Sequence, residues 1–165
     1  MGNRKNFTSE EWAKVLESMM LAGMAVSAAE PSGLWGTVKE AFASRSAITA
    51  SKQSASNELV KAAIAELETQ EGRSTVQAAL RKLVAGAEPS DIVKRALGNL
   101  REVSALLDAK APGDAAAFRD VLRGISQKVA EASMEGGLLG VGGTRISDAE
   151  KATLAEIEKA LGTTT

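Results

Sequence analysis

Seven apolar residues, Ile92, Val93, Ala96, Leu97, Leu100, Val103 and Leu107, recur every three or four positions along one stretch of this chain. That interval matches the turn of an α-helix and lines the residues up on one side of it, a side that has to be buried. The same spacing runs through Trp12, Val15, Leu16, Met19, Met20, Gly23, Met24 and Val26. It returns at Leu59, Val60, Ala63, Ile64 and Leu67, and at Phe118, Val121, Leu122, Ile125, Val129 and Ala132. No stretch reads convincingly as a strand. The apolar share of 44% is largely alanine and leucine, both strong helix formers, and aromatics supply only 3% of the chain. An apolar helical stripe with no sheet to cover must pack on other helices. The expectation is an all-α fold, a compact orthogonal or bundled arrangement of about seven helices in one domain spanning residues 1–165.

Local signals place the helix ends. Thr8 and Glu11 have the spacing of a capping box, and Phe7 and Trp12 that of a hydrophobic staple, so the first helix starts there and residues 1–7 form an arm. After Ser18 this helix is apolar nearly all round, which predicts a central position. Pro31 stops it, since the residue before a proline is disfavoured in the helical region. A second helix is predicted over 32–46, with Leu34, Trp35, Val38, Ala41 and Phe42 on its buried side. The small polar run 48–56 is compatible with a loop or with a helical extension. Asn57 caps a third helix that runs through about Thr69 and that Gly72 ends. Ser74 caps a fourth, containing Val76, Leu80, Leu83 and Val84 and closed by Gly86. Pro89 opens the fifth, with Asp91 and Arg95 as an outward i,i+4 pair. Pro112 and Gly113 break the chain before a sixth helix from Asp114 to Met134. A glycine-rich connector, 135–144, leads to Ser147 and Glu150, a second capping box. The last helix faces Leu154, Ile157 and Leu161 inward and ends at Gly162, leaving a threonine tail at 163–165 to fray.

The chain has no cysteine and no histidine. Disulfides, thiolate metal sites and cysteine nucleophiles are therefore impossible, as are the imidazole base and every Ser-His-Asp arrangement. Enzymes built from carboxylates, lysine or arginine stay open, but no catalytic motif appears, and the expectation is that the protein is not an enzyme and carries no cofactor. The formal charge is −1. The densest basic stretch, Arg81 and Lys82 through Lys94, Arg95 and Arg101, is interrupted by Glu88 and Asp91, which predicts a solvated helix face rather than a nucleic-acid surface. The longest uncharged run, Ser18 to Ala29, falls short of the roughly 20 residues that span a bilayer, and no targeting signal precedes it. A soluble, cytoplasmic protein without a transmembrane segment is expected.

Several features bear on function. The loop Gly137–Gly143 is rich in glycine, but no lysine follows and no strand precedes it, so neither the phosphate-cradling nor the dinucleotide pattern is met. Its apolar members Leu138, Leu139 and Val141 either dock on the bundle or offer an interaction surface. Glu30 and Glu135 each end a long helix beside a glycine-containing turn. They are either solvated carboxylates or, if the turns meet, oxygen ligands for a hard cation such as Ca²⁺ or Mg²⁺. Met19, Met20 and Met24 fit a core better than an adaptable ligand groove. Trp35, between Gly33 and Gly36, is a core residue or an exposed anchor for a partner.

The C-terminal third carries a resemblance. Val129-Ala130-Glu131-Ala132-Ser133, the glycine loop, Ser147-Asp148-Ala149-Glu150 and the closing Leu154 to Leu161-Gly162 together resemble the TerB-like tellurite-resistance family of bacterial helical proteins. Ala28-Ala29-Glu30 followed by Pro31-Ser32-Gly33 looks like an earlier copy of the same helix-then-acidic-turn device. Where the family has aspartates in its acidic turns, this chain has Glu30 and Glu135, and Gly136 to Gly143 stretch the second turn. The resemblance implies an all-α bundle, a bacterial source and a stress-associated role, with cation binding at the acidic turns. The leading expectation is a non-enzymatic helical protein acting through protein–protein contacts, with no partner identified and the oligomeric state open. The alternatives are a divalent-cation-binding carboxylate bundle through Glu30 and Glu135, and an apolar-ligand or peripheral membrane binder.

Overall fold

The computed structural model describes residues 4–29, 57–135 and 146–162, with backbone alone at 132–135. These residues form a short 3₁₀ turn, Arg4–Asn6, and six α-helices: α1 Ser9–Ala29, α2 Glu58–Glu68, α3 Gln70–Val84, α4 Pro89–Lys110, α5 Pro112–Glu135 and α6 Asp148–Leu161. No strand occurs among the described residues. The all-α expectation is met. The helix predicted over 32–46, the run 48–56 and most of the glycine-rich connector lie outside the described residues.

Helix α1 touches each of the other five. Its buried side chains include Trp12, Val15, Leu16, Met19, Leu21, Ala22, Ala25 and Val26, which surround the helix rather than mark one face. This is the central placement its uncharged second half predicts. Met20 and Met24 are partly buried against the same core, so the methionines are packing residues. Both ends of the staple are seated: the Phe7 and Trp12 rings lie 5.8 Å apart, tilted by 43°. Thr8 N–H donates to Glu11 Oε2 at 2.7 Å while Glu11 N–H donates to Thr8 Oγ1 at 3.2 Å, completing the expected box. Trp12 Nε1 is buried without a hydrogen-bond partner among the described residues.

Helix α4 is the main neighbour of α1 and runs antiparallel to it. Glu11, in the first turn of α1, accepts from Lys110 Nζ at the end of α4 at 2.6 Å, and Asn6 Nδ2 donates to the Lys110 carbonyl at 3.0 Å. Between them, Ala96, Leu100, Val103 and Leu107 of α4 have no exposed surface. Helix α5 is tied to α1 by the Ser126 hydroxyl, which lies 3.0 Å from the Ala22 carbonyl oxygen and 3.0 Å from that of Leu122 in its own helix. A buried hydroxyl needs such acceptors to offset its lost hydration.

Two helix junctions differ from the sequence reading, and both are tighter. Gly72 does not end α2. The chain turns at one residue, Thr69, which follows the last turn of α2 and caps α3 by accepting from Gly72 N–H at 2.9 Å. Gly72 lies inside α3 because the two helices approach so closely there that a Cβ would fall 2.1 Å from the Glu66 carbonyl oxygen. Ser74 is therefore not a cap, and its hydroxyl donates back to Gln70 O at 2.7 Å. Likewise α4 and α5 are separated only by Ala111, with φ −145° and ψ 52°, and Pro112 and Gly113 belong to the first turn of α5. Proline suits that position because its missing N–H would have no helical partner.

The remaining ends follow the sequence signals. Asn57 Oδ1 accepts from the N–H groups of Leu59 and Val60, and its amide donates to Asp114 Oδ1 at 2.6 Å, coupling the starts of α2 and α5. Ser147 and Glu150 form the second capping box. Gly162 closes α6 in the left-handed region at φ 69°. The Leu161 carbonyl there accepts from the buried Ser104 hydroxyl of α4 at 3.1 Å, and Arg119 Nε of α5 donates to the same hydroxyl at 2.9 Å. One serine thus joins three helices.

Candidate functional site

Burial is uneven around α1. Helix α3 seats only Gly72 and Val76 fully, and from Ala79 onward its inward side chains Ala79, Leu80, Leu83 and Val84 are half-buried. The second half of α3 therefore packs only in part on the body, through Leu80 and Leu83, and beside it lies an open cleft of about 590 Å³, lined by Glu17 of α1, by Thr75, Ala78, Ala79, Lys82 and Leu83 of α3, and by Arg95 of α4. Its walls are alanine and leucine carbons, and its charges are one carboxylate and two cations.

Glu17 is the unusual group in it. Burial pushes its carboxyl above the ordinary range, opposed by the positive charges of Lys14 and Lys82, and no described residue hydrogen-bonds it. A carboxylate stripped of part of its water without a donor in exchange is held at a cost. Glu11, six residues earlier on the same helix, is its opposite. The Lys110 ammonium and the Thr8 N–H hold its carboxyl below the usual value.

Arg95 also departs from expectation. It does not pair with Asp91, which is approached instead by Lys94 Nζ at 3.7 Å. Its guanidinium reaches across the cleft mouth, where Nη1 donates to the Leu83 carbonyl at 2.7 Å in the last turn of α3. A cation at a helix C-terminus satisfies an orphan carbonyl and meets the negative end of the helix dipole. Arg81, Lys82, Lys94, Arg95 and Arg101 are all exposed, as the sequence reading has it.

A second, smaller cleft of about 280 Å³ lies between α5 and α6, lined by Arg123, Gly124, Ser126, Gln127, Leu154, Ile157 and Glu158. Its polar groups are already engaged. Arg123 reaches both Glu158 and Asp120 at 2.7 Å, and Ser126 faces its two carbonyls. The Lys14–Glu102 pair, both of whose side chains are at least half exposed, is a surface bridge of the kind worth about 0–1 kcal/mol.

Of the residues singled out from sequence, Glu30, Trp35, Leu138, Leu139 and Val141 lie outside the described residues. Glu135 is the final residue of α5, and its side chain too lies outside them. The structure neither brings Glu30 and Glu135 together nor separates them. Among the described residues there is no group of three or more acidic side chains arranged to hold a metal ion, and no helix long and apolar enough to cross a membrane. Conversely, the sequence reading does not join the cleft residues Glu17, Lys82, Leu83 and Arg95 into a site. They come from three helices, and each taken alone looks like an ordinary surface or core position.

The chain matches no protein-family model, no curated protein and no solved structure.

Proposed function

We propose that this chain is a non-enzymatic helical protein that works by contact with another protein, and that the cleft beneath α3 is the face it offers. The observation that carries this reading is the half-buried Glu17 carboxylate, without a hydrogen-bond donor among the described residues, set among apolar walls with Lys82 and Arg95 lining the same cleft. Protein interfaces have that anatomy, an apolar centre with charges at its edge that fix register. A docking segment bearing a basic residue would give Glu17 a donor that none of the described residues supplies. The stress-associated, bacterial setting implied by the TerB-like resemblance belongs to the same proposal.

The test is capture from the source cell's own lysate with the full chain and with Ala79→Arg, which fills the cleft from an already half-exposed position. A partner retained by the parent and lost by the variant, with the far-ultraviolet circular dichroism of the two unchanged, supports the proposal. A partner retained equally by both would move the contact elsewhere, and turnover of a substrate by the purified chain would overturn the non-enzymatic reading.

A further inference from the structure

Helix α3 is held differently from its neighbours. Only two of its fifteen residues are buried, one of them a glycine, whereas α1 buries twelve of twenty-one. Stabilisation by burial scales with the apolar area removed from water, so α3 adds the least to the fold per residue. Nor can it stand alone, because an isolated helix of this length is marginal in water and this one opens on Gly72, Ser74 and Thr75.

Its two ends are turning points. At one, Thr69 is the single residue between α2 and α3, and Gly72 allows the close approach beside it. At the other, Gly86 takes a left-handed φ of 63° with open space around its Cα. Across the cleft the far half is fastened by Arg95 Nη1 on the Leu83 carbonyl, a bond at the surface. Beneath lies Glu17, which regains water and loses its burial penalty whenever α3 lifts.

We infer that α3 detaches and frays as a unit while the α1–α4–α5–α6 core stays folded, with Thr69 and Gly86 as its limits and the Arg95–Leu83 hydrogen bond as its latch. Low burial, partial packing through Leu80 and Leu83, and a far end fastened among the described residues by a surface hydrogen bond are the features of a segment that opens well below the free energy of global unfolding. The inference does not depend on the identity of any partner.

Trypsin under native conditions, with cuts mapped by mass spectrometry, tests it on the unaltered full chain. Arg73, Arg81 and Lys82 in α3 and Arg101 in α4 are all exposed. Among the described residues, the expected first cuts are at Arg81 and Lys82, on the order of 100-fold faster than at Arg101. Arg95→Met should speed them roughly three- to tenfold without altering the Arg101 rate, the loss of one hydrogen bond from the latch. A thiol reporter gives a second reading, since the chain has no cysteine of its own. Val76→Cys should react with a disulfide reagent in native buffer, and Val15→Cys only on global unfolding. Equal cutting of α3 and α4, or equal protection of the two thiols, overturns the inference. Fast cutting of α3 that Arg95→Met leaves unchanged overturns the latch.

Discussion

Helices α1 and α3 are neighbours in this fold, yet they are held by different means. Along α1, Val15, Leu16, Met19, Leu21, Ala22, Ala25 and Val26 are at most 2% exposed, and every other described helix leans on them. Along α3 full burial is confined to Gly72 and Val76, Leu80 and Leu83 are only partly buried against the core, and an open cleft lies beside them. The difference lies in composition. The second half of α1 is uncharged from Ser18 to Ala29, so it can be covered on all sides. In α3, by contrast, Arg73, Arg81 and Lys82 leave only a narrow strip that can face inward. A helix that everything else rests on and a helix that rests on little make different demands on their side chains, and substitutions measure that contrast.

The largest contrast is in truncation. Leu100 of α4, with no exposed surface against α1, should lose about 2–5 kcal/mol of unfolding free energy on replacement by alanine. Half-buried Leu83 of α3 should lose about 1 kcal/mol or less, because a site open to water leaves no sealed cavity. Urea unfolding of the two variants reads both, and equal losses would erase the distinction.

Glycines should split in sign. Gly72→Ala puts a methyl group 2.1 Å from the Glu66 carbonyl oxygen, which forces the α2–α3 junction apart and should cost about 1–3 kcal/mol. Gly98→Ala, mid-helix in α4 with nothing within 4 Å of its Cβ, should gain about 0.5–1 kcal/mol from the helix propensity of alanine. Thermal melts of the pair check the two directions. Ser147→Ala, which dismantles the capping box of α6, should cost about 1 kcal/mol in the same assay.

The smallest effects are electrostatic, and they oppose one another along α1. The Glu11 carboxyl is lowered, foremost by its hydrogen bond from Lys110, so its contribution is fully present above the ordinary carboxylate range and is lost as the pH falls through its folded value. The Glu17 carboxyl is raised by burial, so it destabilises the fold at neutral pH and that penalty disappears as the pH falls below the ordinary range. Glu17→Gln should therefore raise the melting temperature near pH 7 and converge on the parent in acid. Glu11→Gln should lower it near pH 7 and converge likewise. Melting curves over about pH 3–7 separate the two.

Much of this architecture was legible in the residues themselves. The caps at Thr8, Asn57 and Ser147, the stop at Gly86 and the closing Gly162 all act locally, within one turn of the chain, so a reading of neighbours finds them. The central role of α1 was legible because its second half, uncharged from Ser18 to Ala29, has no face to give to water. The junctions were not. Gly72 looked like a helix end because glycine usually marks one, whereas its reason is the approach of the Glu66 carbonyl across a turn, a contact that spacing does not encode. Arg95 looked like a partner for Asp91 four residues before it and is drawn instead to the end of another helix. The cleft was invisible for the same reason: Glu17, Lys82 and Arg95 meet only once three helices are placed. The acidic and apolar residues singled out beforehand, Glu30, Glu135, Trp35 and the Leu138–Val141 loop, fall where side chains are not described, so they add nothing to the site.

Hydrogen exchange on the unaltered chain, resolved by peptide, bears most directly on the claim that α1 is the axis of the fold and α3 its loosest member. The amides of α1 and α4 should exchange slowest and at a common free energy, that of global unfolding, with those of 70–84 on the order of 100-fold faster. A single rate shared by α3 and α1, or an α1 that exchanges before its neighbours, would contradict the account.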